Sequence, residues 1–244
     1  MTFGRCRGPA AEYWYFYLNY YNRCEHCCLY CFGCNWKKVG PVRITDRPEN
    51  LPHYFEKWGG IDKIPEVVLC NNTDAYQPAE VEIEATRGVL DWWLDNCPQV
   101  PVCILTKSPL VLRDIDLLSV LKVRAGFTIT TVNQTLAGIW EPHAPPVHKR
   151  LVALHTLHEC GIPTWVSCEP CLDESTPFRL LEVDYIDKLY VGALSKRWFI
   201  APQMRGKEPE IDYQALAARL RDLQDERVVL KKSMTLAPSK EGSG

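Results

Sequence analysis

The 244-residue chain has no apolar run approaching the roughly 18 residues of a membrane span, so no membrane-crossing helix is expected. Its first residues, "MTFGRCRGPAAEYWYFYLNYY", lack the compact aliphatic stretch and cleavage site of a secretory signal. A cytoplasmic location is therefore expected. Charge of one sign is missing as well: 28 Lys and Arg against 30 Asp and Glu leave a net charge of −2. No global basic field advertises nucleic acid. The local pairs Lys37-Lys38, Lys196-Arg197 and Lys231-Lys232 read as solvated surface. No low-complexity linker divides the chain, and its length suits one α/β barrel. Apolar residues make up 46% and charged ones 24%, an ordinary globular composition. A core of this size needs no disulfide staples.

What the chain has in excess is cysteine, with 12 in all. Five of them crowd into "NRCEHCCLYCFGC", from Asn22 to Cys34. Without export, clustered thiols point to a metal or to redox chemistry. Three spacings compete. Cys24, Cys27, Cys31 and Cys34 form two CxxC pairs; Cys28, Cys31 and Cys34 form CxxCxxC; Cys24, Cys28 and Cys31 form CxxxCxxC. A structural zinc site usually separates its two pairs by a dozen or more residues, and here the gap crowds the tetrahedron. A ferredoxin-type site takes a fourth cysteine.

Along the chain, short β-branched or aromatic runs alternate with longer helical periods. Strands are expected at 12–20, 66–70, 100–106, over "RAGFTITTV", over "IPTWVSC" and at 186–194, with "RVVLK" as a closing strand. Helices are expected over "NLPHYFEKWGG", 79–96, 110–121, Val147 to Cys160 and 212–225. Gly161 suits the C-terminal stop of the fourth of these. Strand–loop–helix repeated about six times implies a parallel sheet of right-handed units. The expected fold is a single-domain partial (β/α)6 TIM-like barrel over 12–236, with residues 1–11 as an N-terminal extension and 237–244 as a flexible tail. A flat doubly wound sheet is the alternative. In both, chemistry belongs at the carboxyl ends of the strands. The cysteine loop, "CNNTD", "TKS", "TITT" and "CEPC" all fall there.

The CxxxCxxC spacing after a first barrel strand resembles that of the radical SAM enzymes. More narrowly, "YYNRCEHCCLYC", "NNTDAYQPAE", "TRGVL", "TKSPLVLRDIDLL", "ITTVNQTLAGIWEPHAPPVHKRLVAL" and "CGIPTWVSCEP" follow one another as in SplB-type proteins, the spore photoproduct lyases and their shorter relatives. The resemblance covers about residues 19–173. It implies that Cys24, Cys28 and Cys31 hold a [4Fe–4S] cluster with one iron open to S-adenosylmethionine, and that Tyr30 packs near the adenine. Thr73 and Asp74 then meet the methionine end of SAM, Lys107 its carboxylate, and Thr128 faces it from the fourth strand. The Gly-Gly-Glu common elsewhere in the superfamily is missing, as is usual for SplB-type proteins.

The same resemblance implies one-electron cleavage of SAM to methionine and a 5′-deoxyadenosyl radical, fed by a flavodoxin- or ferredoxin-like donor. Cys70 matches, within about one residue, a cysteine that returns hydrogen to the product radical. Glu141 and Arg150 are expected to form a structural ion pair. Cys27, Cys34, Cys168 and Cys171 carry no assignment, and His26, His143 and His148 have no ligand-like partners. The substrate is open between a nucleic acid base or nucleotide and a small molecule or peptide. "SKRWFIAPQMRGK" is the basic and aromatic segment that bears on the first. A non-catalytic iron–sulfur or zinc sensor is the reading from another class.

Overall fold

The computed structural model describes residues 2–31, 40–45, 47–194 and 200–235. Cys34, Lys37-Lys38, Lys196-Arg197, Trp198, Phe199 and the tail lie outside the described residues. Eight strands form one sheet in strict chain order. They are β1 (Thr2–Arg5), β2 (Phe16–Asn19), β3 (Val67–Leu69), β4 (Val102–Thr106), β5 (Val123–Thr128), β6 (Thr164–Cys168), β7 (Lys188–Val191) and β8 (Val228–Leu230). Every neighbouring pair from β2 to β8 is parallel, and β1 runs antiparallel to β2 with Phe3 opposite Leu18. The six expected strands are β2 to β7, and the closing strand is β8. This is the partial barrel, and a strand order without reversal excludes the doubly wound sheet.

The covering helices are α1 (Leu51–Lys57), α2 (Glu80–Ile83), α3 (Ala85–Asn96), α4 (Ile115–Leu118), α5 (Gln134–Trp140), α6 (Val147–Glu159), α7 (Thr176–Leu181) and α8 (Tyr213–Asp222). Helix α6 shows the packing logic: Arg150, Ala153, Leu154 and Leu157 are buried at three- and four-residue spacing. Each fully buried Leu of this kind contributes roughly 1.5–3 kcal/mol.

Three expected elements differ. The helix at 79–96 is split at Glu84, which takes a left-handed φ of 50°. The break lets the Glu80 carboxylate accept from the Thr86 amide at 2.9 Å and pair with Arg113 Nη2 at 2.9 Å. The helix at 110–121 is a 3-10 segment, Pro109–Asp114, that passes into α4. Strand 12–20 is shortened to β2 because Gly8–Glu12 forms a 3-10 turn that tucks under the barrel. Helices α5 and α7 were not anticipated. The first had a readable signal: Asn133 caps it by accepting from the Thr135 and Leu136 amides at 3.0 and 3.1 Å.

Inside the sheet lies a second, smaller core of Cys6, Trp14, Val68, Cys103 and Trp165, joined by Tyr13, Tyr17 and Tyr190. The N-terminal segment thus fills the lumen from its closed side. Trp165 crosses β5 at Gly126, where a Cβ would stand 2.3 Å from the indole. Only glycine fits there.

Candidate active site

All the strand-end loops of β2 to β7 open on one cavity of about 830 Å³. Cys24, Cys27, Cys28, Tyr30 and Cys31 line it from the loop after β2, and Cys70, Asn71, Thr73 and Asp74 from the loop after β3. Lys107 enters after β4, Thr128 from β5, and Ser167 and Glu169 from β6. Every site residue expected from the sequence therefore reaches the same space. Among the described residues, however, no three His, Cys, Asp or Glu side chains converge in metal-ligand geometry.

The thiol loop is held from two sides. Towards β3, the Glu25 amide donates to Gln77 Oε1 at 2.9 Å, Gln77 Nε2 donates to the Arg23 carbonyl at 3.1 Å, and the Ala79 amide donates to Glu25 Oε2 at 2.7 Å. Towards α5, the Leu29 amide donates to the Trp140 carbonyl at 2.8 Å, and the Tyr30 hydroxyl donates to Glu141.

Two buried charge clusters set the electrostatics. His26, left unassigned from sequence, has its Nε2 3.0 Å from Asp74 Oδ2, off the hydrogen-bond line, so their attraction is mainly one of charge. Asp74 also accepts from Thr106 Oγ1 at 2.6 Å and from the Tyr76 and Lys107 amides at 2.8 Å each. Burial alone would raise its pKa. The His26 charge and these hydrogen bonds outweigh burial and hold it at about 2. Asp74 thus ties the thiol loop to the ends of β3 and β4.

The second cluster is Glu141, whose Oε2 meets Arg150 Nη1 at 2.5 Å and whose Oε1 lies 3.9 Å from Lys107 Nζ. Both Glu141 and Arg150 are buried, and Arg150 also donates to the Thr128 and Pro145 carbonyls. Burial pushes the Glu141 carboxyl up, yet the Lys107 and Arg150 charges keep it below its ordinary value. The expected ion pair is present, and it seats both Tyr30 and Lys107.

The thiols carry the mark of an apolar, partly closed space. Burial raises Cys28 to about 12 and Cys70 to about 11, despite Lys107 beside the first. Cys70 has a left-handed φ of 56°, an uncommon state for a residue with a Cβ. Thr73 Oγ1 stands beside its thiol outside hydrogen-bond geometry, and Asn71 Oδ1 is likewise buried without a partner. Three cavity-lining thiols, a nearby lysine and two unpartnered polar atoms fit a thiolate-held cluster with an amino-acid-bearing ligand next to it.

Cys168 and Cys171 are both buried free thiols in mutual contact behind the cavity wall. Lys231, expected on the surface, is only 1% exposed just past the carboxyl end of β8.

No family model matches the chain. An uncharacterized protein of Methanocaldococcus jannaschii is 32% identical over 186 residues, 73% of this chain and 65% of that protein. An uncharacterized protein of Acidianus two-tailed virus is 33% identical over 170 residues, 63% of this chain and 54% of that protein. The chain thus spans between about half and two thirds of these relatives' own length. Among solved structures, Streptococcus suis SuiB bound to S-adenosylmethionine superposes with a TM-score of 0.67 at 13% identity, covering 93% of this chain and 53% of that one. A spore photoproduct lyase variant with bound AdoMet and dinucleoside spore photoproduct gives 0.61 at 16% identity, covering 78% and 58%. The fold is the partial barrel of the radical SAM structures. No helix among the described residues is long and apolar enough to cross a membrane.

Proposed function

We propose that the chain is a radical SAM enzyme in which Cys24, Cys28 and Cys31 hold a [4Fe–4S] cluster. The observation that carries this reading is the meeting of those thiols with Thr73, Asp74, Lys107 and Thr128 on one cavity, from loops far apart in sequence. The likeness to AdoMet-bound structures supports it. When bound, the cluster supplies one electron that cleaves SAM to methionine and a 5′-deoxyadenosyl radical, with a flavodoxin- or ferredoxin-like protein as the outside source.

The chain's own residues do the positioning. Lys107, kept charged beside Glu141, receives the SAM carboxylate. The unpartnered Asn71 Oδ1 and Thr73 Oγ1 accept from its ammonium. Tyr30, fixed through its hydroxyl, offers a ring to the adenine, and Thr128 bounds the ribose side. Asp74 acts one step back by holding His26 and the thiol loop. Cys70 stays a protonated thiol because burial disfavours its thiolate, and an S–H bond is what return of a hydrogen atom to a substrate radical requires. The radical acts on a ring or side chain reaching into the lumen; a nucleotide-type substrate accords with the dinucleoside-bound neighbour.

Anaerobic reconstitution with iron and sulfide, followed by SAM and dithionite, tests the proposal. Wild type should yield 5′-deoxyadenosine. Cys24→Ala, Cys28→Ala and Cys31→Ala should each lose iron and product, while Cys27→Ala keeps both. Bound cluster without SAM cleavage would favour the sensor reading, and tight zinc in its place would overturn the ligand assignment.

A further inference from the structure

Where β6, β7 and β8 end, the cavity holds a polar group that the radical step does not use. Glu169 follows β6, and its carboxylate is folded over Gly192, where a Cβ would come within 2.7 Å of it. Tyr13 donates its hydroxyl to Glu169 Oε2 and lies 3.1 Å from Ser167 Oγ. Lys231 Nζ approaches the same Oε2 at 3.7 Å, sits 3.3 Å from the Tyr13 ring centroid and donates to the Pro9 carbonyl at 2.7 Å. Four segments remote in sequence thus converge on one carboxylate.

Burying an ammonium as fully as Lys231 costs several kcal/mol before its partners respond. Glu12 Oε1, 3.9 Å away, and the Pro9 carbonyl already answer part of that charge. What the arrangement adds is a carboxylate facing a largely aromatic lumen. Its Oε2 is engaged by Tyr13 and Lys231, so Oε1 is the acceptor left to a bound molecule. Flat surfaces flank it: Tyr13 and Trp14 stack with centroids 4.8 Å apart, and Tyr17 lines the same cavity.

We propose that Glu169 is the substrate anchor, and that the substrate presents a planar ring bearing N–H donors, an amino-heterocycle or amidine, to Oε1 while its face lies on the aromatic wall. The proposal rests on the reading that the thiol-lined end of the cavity holds SAM, which would set the ring beside the radical's carbon.

The test uses the full chain, without SAM, and benzamidine as a probe, with benzoate as the control of equal shape and opposite charge. In saturation-transfer NMR titrations, benzamidine should bind saturably and benzoate should not. Glu169→Gln, nearly isosteric, should weaken benzamidine at least tenfold while staying folded. Equal binding of the two probes, no benzamidine binding by wild type, or unchanged affinity in Glu169→Gln would each overturn the anchor. Unchanged affinity joined to a lower melting temperature would make Glu169 a counter-charge for Lys231. Wild type that binds benzamidine yet yields no 5′-deoxyadenosine would sink the SAM reading and leave the anchor standing.

Discussion

The rim and the floor of the same barrel are built by different physics. At the rim, the thiol loop is held by buried charge: His26 with Asp74, and Glu141 with Arg150 and Lys107. At the floor, Tyr13, Trp14, Trp165 and Tyr190 pack ring on ring. Charge gives the rim direction, since each acceptor selects its donor. Packing gives the floor shape, since it excludes volume without choosing partners.

The comparison can be broken most forcefully at the rim. Arg150→Met would remove the nearer of the two cations that face the buried Glu141 carboxylate, a loss of about 3–5 kcal/mol. Denaturant titration should show it, and Glu141→Gln in the same chain should recover part of the loss. At the floor, Gly126→Ala would drive a methyl into the Trp165 ring, which stands 2.3 Å from the new atom. Overpacking of this kind costs about 1–3 kcal/mol. At ~2–4 °C per kcal/mol, differential scanning calorimetry would resolve it.

Smaller changes sharpen the contrast. His26→Gln replaces the imidazole 3.0 Å from Asp74 with an amide. Stability should fall by no more than about 1–2 kcal/mol, and iron retained after reconstitution should fall with it. An unchanged iron content would mean that the thiol loop does not depend on this pair. Trp14→Phe removes one indole N–H, which donates to Cys103 Sγ at 3.1 Å, and keeps the ring. A shift under about 1.5 kcal/mol is expected from urea unfolding, and a larger one would show that the floor, too, relies on polar direction.

Much of the rim was legible in the chain. The thiol loop, "NNTD", Lys107 and Thr128 each follow a run of apolar strand residues, and parallel strands deliver all their carboxyl ends to one side. That rule needs no side-chain detail. His26 was not legible, because its partner Asp74 is 48 residues away and nothing in the spacing joins them. The pair of Glu169 and Lys231 was less legible still. Lys231 sits in a Lys-Lys pair that reads as surface, and "CEPC" drew attention to its cysteines rather than to the glutamate between them. The break at Glu84 escaped for the same reason: the apolar period continues through it, while the carboxylate that favours it is Glu80, bonded to Thr86 and to Arg113 across the fold.

The sequence alone determined the parallel order of β2 to β8, while β1, within the expected N-terminal extension, escaped it. That order follows from apolar periodicity and turn residues, which are local properties of a chain. Only the tertiary structure decided which charges are buried, which face of each strand meets the lumen and that Glu169 shares one cavity with the thiols. Burial and pairing depend on atoms contributed by distant segments, and so the ends of this chain, Tyr13 and Lys231, define its interior.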